Sequence, residues 1–178
     1  MKLDYLQALK RVSDARGAWV LHGQEPLLEQ NLMDAFRASW QQREVERQRY
    51  DVSSVSDWKN VFNALNSLSL FSQQLAIEVH GNIKPDANGL KQLKSYIQHN
   101  ETNLLLIVLP KQDSSSLKSA FFQVVEANGV VVALTANYPQ DRQRILAAEA
   151  EKLEIQLDND AWQWLMQHHE HNLLAAKN

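Results

Sequence analysis

The sequence contains no cysteine, which excludes disulfide frameworks, thiolate metal sites and cysteine nucleophiles. It has no basic excess either: 18 Lys and Arg stand against 21 Asp and Glu, for a net charge of −3 and a pI of about 6.1. That argues against a dedicated nucleic-acid binder, which carries a basic face, and leaves room only for a weak or local DNA contact. Long apolar runs are missing too. The longest, Leu104 to Pro110, falls far short of the roughly 20 residues of a bilayer span. The opening Met1-Lys2-Leu3-Asp4 does not have the form of a signal peptide. There is no internal repeat and no low-complexity segment. The expectation is a cytoplasmic protein with no membrane attachment.

What is present is material for a core. The 178 residues are 44% hydrophobic and 22% charged, the composition of a folded domain rather than a disordered chain. Short apolar runs alternate with amphipathic stretches. Ala18-Trp19-Val20-Leu21 reads as a strand ending at Gly23, and Pro26 opens a helix whose buried face is Leu28, Leu32, Ala35, Phe36 and Trp40. Arg49 to Val52 reads as a weak second strand, and Ser56 as the cap of a helix striped by Trp58, Val61, Phe62, Leu65 and Leu68. Leu75, Ile77 and Val79 alternate, as in a strand with one buried face. Leu90, Leu93 and Ile97 mark a helix, and Leu104 to Leu109 a central strand covered on both sides. Leu117, Phe121, Phe122 and Val125 mark another helix, and Val130 to Leu134 a last strand. Five strands alternating with helices imply an α/β fold with a parallel sheet. From Thr135 to Asp141 the chain is polar and contains Pro139. Beyond it only helical signals remain, including Ile145, Leu146, Leu153, Ala161, Trp162, Leu165 and Met166. A domain boundary is expected near Tyr138, giving units 1–138 and 139–178. Leu173 to Ala176 reads as the start of a helix, so the chain is expected to be part of something longer.

In such a sheet ligands bind beyond the carboxyl ends of the strands. The first strand–helix junction, Gly23-Gln24-Glu25-Pro26-Leu27-Leu28-Glu29-Gln30, occupies the position of a phosphate loop of pattern GxxxxGK[ST]. Leu28 stands where the second glycine belongs, Glu29 where the lysine belongs, and Gln30 where the magnesium-binding hydroxyl belongs. Glutamate repels a triphosphate and leucine fills its approach, so Gly23 reads as a turn glycine beside a degenerate loop. The strand end Val108-Leu109-Pro110-Lys111 offers no carboxylate for a metal. A receiver domain would need an acidic cluster where His22 and Leu109 stand.

Other chemistry is thin. His168, His169, Glu170 and His171 contain one pair at helical ligand spacing, His168 and His171, which reads better as a solvated helix end than as a metal site. Arg43, Arg47 and Arg49 alternate with Glu44, Glu46 and Asp51, the pattern of a salt-bridged surface rather than a phosphate track. Ser114-Ser115-Ser116 reads as a capping segment. Nothing points to catalysis, and neither a cofactor nor a metal is expected.

One feature remains. In Ser67-Leu68-Ser69-Leu70-Phe71-Ser72-Gln73-Gln74, two bulky apolar residues sit among serines and glutamines. Leu70 and Phe71 can close the preceding helix stripe as core, or stand exposed as an anchor for a partner's pocket.

Taken in order, Trp19-Val20-Leu21-His22-Gly23-Gln24-Glu25-Pro26-Leu27-Leu28, Asp57-Trp58 leading to Ser69-Leu70-Phe71, Leu105-Leu106-Ile107-Val108, Lys152-Leu153, Leu157-Asp158 and Asn172-Leu173-Leu174-Ala175 resemble the delta subunit of bacterial DNA polymerase III. The likeness runs across nearly the whole chain, and the order and spacing of the motifs carry it. His171 departs from the family, which often has glycine there. The resemblance implies an AAA+-like (P-loop NTPase-like) five-stranded parallel sheet without a working ATP site, followed by the start of a small helical lid. It implies binding to the sliding clamp, opening of the ring for loading onto primed DNA, and assembly with other clamp-loader subunits through a C-terminal region. It implies that Leu70 and Phe71 are exposed clamp-binding anchors. It also implies that the chain carries no catalysis of its own, although the holoenzyme is a DNA-directed DNA polymerase. The alternatives are a nucleotide-binding AAA+ ATPase with an atypical phosphate loop, or a Rossmann-like small-molecule module. The second is weakened by the lack of a GxGxxG after the first strand.

Overall fold

The computed structural model describes residues 1–67, 74–99, 102–169 and 172–177. Its centre is a parallel sheet of β1 (Lys2–Leu3), β2 (Gly17–Gly23), β3 (Glu46–Val52), β4 (Leu75–Gly81), β5 (Leu104–Pro110) and β6 (Val130–Leu134), in the order β1-β6-β2-β5-β4-β3. Among the described residues the sheet therefore has six strands, one more than the sequence led us to expect. The added strand is Lys2–Leu3, which pairs with Val131 and Val132 at the edge. Two residues are too few to show a period, and only tertiary pairing makes them a strand.

The helices are α1 (Tyr5–Leu9), α2 (Pro26–Gln42), α3 (Trp58–Asn66), α4 (Ala87–His99), α5 (Ala120–Asn128), α6 (Pro139–Lys152), α7 (Asn159–His168) and α8 (Leu173–Lys177). They cover the sheet on both faces. Successive strand residues point to opposite sides, so β2 sends Trp19 and Leu21 into one apolar cluster and Ala18 and Val20 into the other. The first cluster is closed by Leu28, Leu32 and Phe36 of α2, Ile145 and Leu146 of α6, and Leu173 of α8. The second is closed by Val61, Phe62 and Leu65 of α3, Leu93 and Ile97 of α4, and Phe121, Phe122 and Val125 of α5. Burial on both faces explains why β5 reads as one continuous apolar run.

β4 corrects an expectation. Leu75, Ile77 and Val79 are buried, but so are Ala76 and Glu78 on the opposite face. The strand lies inside the sheet between β5 and β3, and from Leu75 to Val79 both of its faces are covered. β3 is the edge on this side of the sheet, and its Glu46-Arg47-Gln48-Arg49-Tyr50-Asp51 is charged in the way that discourages pairing with another chain.

Two caps also differ from expectation. Ser54, not Ser56, forms the capping box ahead of α3: Ser54 donates its N–H to Asp57 Oδ2 at 2.8 Å, and Ser56 only meets the Ser54 hydroxyl. Before α5, the acceptor is Asp113, which takes the Ser116 N–H and the Ser115 hydroxyl. An ionised carboxylate is the stronger acceptor and outcompetes the neighbouring hydroxyls.

Candidate functional site

At the carboxyl rim of the sheet, β2 ends at Gly23 and α2 begins at Pro26, so only Gln24 and Glu25 lie between them. A two-residue turn is too short to wrap backbone N–H groups around a phosphate, the arrangement a phosphate loop requires. Gly23 is more than a turn glycine. It is the last residue of β2, in register with Pro110 and Leu134, and a Cβ there would lie 2.2 Å from the Leu134 carbonyl oxygen. Its requirement is close backbone approach. Leu28 is fully buried in the core, Glu29 is half-buried and Gln30 is exposed. The Glu29 N–H is used within the helix, donating to the Glu25 carbonyl at 3.2 Å.

A cleft of about 450 Å³ opens beyond β2, β5 and β6, lined among others by Gln24, Glu25, Lys111, Thr135, Arg142 and Leu173. Burial raises the Glu25 carboxyl above its ordinary range. The Arg142 guanidinium is nearly buried and donates to the Ala136 and Asn137 carbonyls at 3.0 and 3.4 Å. The cleft thus has a basic lining with one acid, but no pair of carboxylates to hold a metal.

At the other rim stand Ser67 and Gln74, the described flanks of the segment that the resemblance singles out. Leu70 and Phe71 lie outside the described residues, as does Leu68. Their flanks are described and firmly held. Ser67 ends α3 with its hydroxyl on the Ala64 carbonyl at 2.8 Å. On the far side, Gln74 accepts the Glu46 N–H at 3.1 Å, and Leu75 donates to Asn103 Oδ1 at 3.0 Å. Ser67 and Gln74 therefore sit at the amino ends of the strands, opposite the Gly23 turn. Beside them a groove of about 340 Å³ runs between α3 and α4, lined by Phe62, Leu65, Asn66, Gln92, Tyr96 and His99, with Ser95. Trp58, buried at the other end of α3, donates its indole N–H to the Ile83 carbonyl at 2.9 Å and fixes the helix on the sheet.

The remaining candidates fall as follows. His168 stacks on Trp164 at 4.4 Å and meets the Trp164 carbonyl at 2.8 Å; Glu170 and His171 lie outside the described residues. No group of three metal-ligating side chains occurs among the described residues. Arg47 and Arg49 are indeed salt-bridged, to Glu78 and Asp51.

Sequence reasoning missed several polar clusters, two of which tie distant elements together. The fully buried Glu78 accepts from Arg47 Nε at 2.7 Å, meets His80 Nε2 at 2.6 Å and lies 3.8 Å from Arg37. Burial alone would raise this carboxyl, but the bonds from His80 and Arg47 outweigh it and hold the carboxyl down at about 2. The signal was a lone glutamate between Ile77 and Val79. The second cluster joins Tyr5, Asn31, Glu149 and Lys177; its signal was Asn31 on the apolar face of α2.

Comparison with known proteins places this geometry. The sequence profile of the family described as DNA polymerase III, delta subunit matches residues 19–135. The DNA polymerase III subunit delta of Escherichia coli K12 is 32% identical over 164 residues, covering 90% of this chain and 48% of that protein. The chain thus spans about half the length of that relative. Among solved structures, the DNA clamp loader delta protein of Bacillus subtilis superposes with a TM-score of 0.72 at 10% identity, over 97% of this chain and 54% of that one. Domain III of the Thermotoga maritima replication initiation protein DnaA superposes at 0.52 with 14% identity, over 97% and 78%. RuvB of Thermotoga maritima superposes at 0.54 with 11% identity, over 97% and 57%. At such identities the structures speak for the fold alone, a parallel α/β sheet with flanking helices. By profile and identity together, the chain belongs to the DNA polymerase III delta subunit family.

Proposed function

We propose that the chain binds the sliding clamp through Leu70 and Phe71 and favours the open ring, so that the ring is loaded onto primed DNA. Membership of the delta family is the observation that carries this reading. A partner shifts an equilibrium only by its preference for one state. An anchor pair that fits the open ring better therefore opens it without nucleotide chemistry in this chain. The two-residue Gln24–Glu25 turn and the buried Leu28 support a chain that leaves ATP-driven steps to sister subunits. The firmly bonded Ser67 and Gln74 give the anchor segment fixed ends. In this reading residues 1–138 form the clamp-binding domain with a degenerate nucleotide site. Residues 139–178 begin a helical lid, and contacts with other loader subunits belong to a further C-terminal region. DNA is contacted only indirectly or weakly. Catalysis belongs to the DNA-directed DNA polymerase holoenzyme, and the setting is cytoplasmic.

The test is binding of the chain to the purified clamp of the same organism, with a folded Leu70→Ala/Phe71→Ala variant beside it. Central anchors of this kind are worth about 2 kcal/mol or more each, so the double variant is expected to lose at least about a hundredfold in affinity. A folded wild-type chain that does not bind, or a double variant that binds equally well, overturns the proposal.

A further inference from the structure

The helices after residue 138 touch the sheet domain through two kinds of contact. One is apolar: Ile145, Leu146 and Leu173 enter the same cluster as Trp19, Leu21 and Val132. Such contact is strong but non-directional. The other is polar and specific. Asn31, on α2, is its hub. Its Nδ2 donates to the Tyr5 hydroxyl oxygen at 3.1 Å and to Glu149 Oε1 at 2.8 Å. Its Oδ1 accepts from Lys177 Nζ at 3.0 Å, and the same Nζ lies 3.2 Å from Glu149 Oε2. Asn31, Glu149 and Lys177 thus close a triangle across α2, α6 and α8, with Tyr5 of α1 attached. Chemistry fixes the sense of the amide: only its oxygen can face an ammonium, and only its nitrogen a carboxylate. Tyr5, Asn31 and Glu149 are all buried, so losing these hydrogen bonds and the ion pair in any other geometry is costly.

The joint between the two parts is as well defined. Leu134, the last residue of β6, is in register with Gly23 and belongs to the sheet. Ala136 and Asn137 are tied by their carbonyls to Arg142 of α6 and belong to the helices. Thr135 alone lies between.

We infer that the Tyr5–Asn31–Glu149–Lys177 network is a latch that fixes the orientation of the 139–177 helices on the sheet, with Thr135 as the pivot. This goes beyond the clamp-binding reading and does not depend on it. Removing Lys177 leaves Glu149 buried without its cation, whereas removing both charges leaves only the apolar contact. The experiment is hydrogen exchange of the whole chain read by mass spectrometry, comparing peptides from α6 with peptides from β5. In Lys177→Met, α6 is expected to exchange on the order of a hundredfold faster while β5 is unchanged. In Glu149→Gln/Lys177→Met, α6 is expected to return to within about tenfold of wild type. An α6 rate unchanged in Lys177→Met overturns the latch. Equal acceleration of α6 and β5 also overturns it, because the helices and the sheet would then open as one unit. Should Lys177→Met fail to fold, Tyr5→Phe removes one hydrogen bond and is read by the same comparison, with about tenfold faster exchange in α6 expected.

Discussion

The Glu78 carboxylate of β4 accepts from Arg47 Nε of the neighbouring strand β3 at 2.7 Å, with no exposure of its own. Arg47 and His80 together hold this carboxyl at about 2, below the ordinary 4.5. A folded-state value below the unfolded one adds stability above pH 4.5, which is lost as pH falls towards 2. Arg47 is 38% exposed, so screening trims the contribution to about 2 kcal/mol. Urea titrations from pH 6 down to pH 2 are expected to show a steeper loss of stability in wild type than in Glu78→Gln. Parallel profiles would mean that the carboxyl is not held down.

Gly23 is required by space. Gly23→Ala places a methyl group against the Leu134 carbonyl and forces β2 and β6 apart, at an expected cost of about 2 kcal/mol or more. Thermal unfolding reads this directly. A variant as stable as wild type would show that the strands can part freely at this rim.

The strand-end turn makes a prediction about nucleotide. With two residues between Gly23 and Pro26, and the Leu28 side chain in the core, millimolar Mg-ATP is expected to leave the unfolding temperature unchanged. A ligand at a hundred times its Kd would add about 2.7 kcal/mol. A clear upward shift would restore the ATPase reading. Leu28→Ala is expected to destabilise by about 3 kcal/mol, as for any buried leucine, whether or not nucleotide is present.

Two phenylalanines separate anchor from core. Phe62 is buried between α3 and the sheet, and Phe62→Ala is expected to cost about 3–4 kcal/mol. On the clamp-binding proposal, Phe71→Ala leaves stability within about 0.5 kcal/mol of wild type while removing clamp affinity. Denaturant midpoints for the two variants decide the matter, and a loss on Phe71→Ala comparable to that of Phe62→Ala would assign Phe71 to the core.

The strands were legible where burial is two-sided and long, as in Leu104–Pro110, because every residue is then apolar. Lys2–Leu3 was not, since a two-residue strand exists only through its pairing with Val131 and Val132. β4 was read as half-buried because Glu78 looks like a solvent residue. Its burial depends on Arg47 and Arg37, distant in sequence. The junction of strand and helix at Gly23 and Pro26 was legible by position, but the reason for Gly23 was not, because Leu134 lies far along the chain. Asn31 was passed over for the same reason: its partners Glu149 and Lys177 belong to helices more than a hundred residues away. Composition and spacing report local preference; these features are long-range.

All six strands run the same way, so Ser67 and Gln74 stand at one rim and the Gly23 turn at the other, roughly 20 Å apart at about 3.3 Å per residue. A load applied at one rim and resisted at the other travels along the strands as shear. The ladder bonds joining β2 to β5 and β6 then carry it side by side, whereas a load across the sheet would open them in turn. The molecule is therefore stiffest along the axis that joins its two rims, and compliant across it.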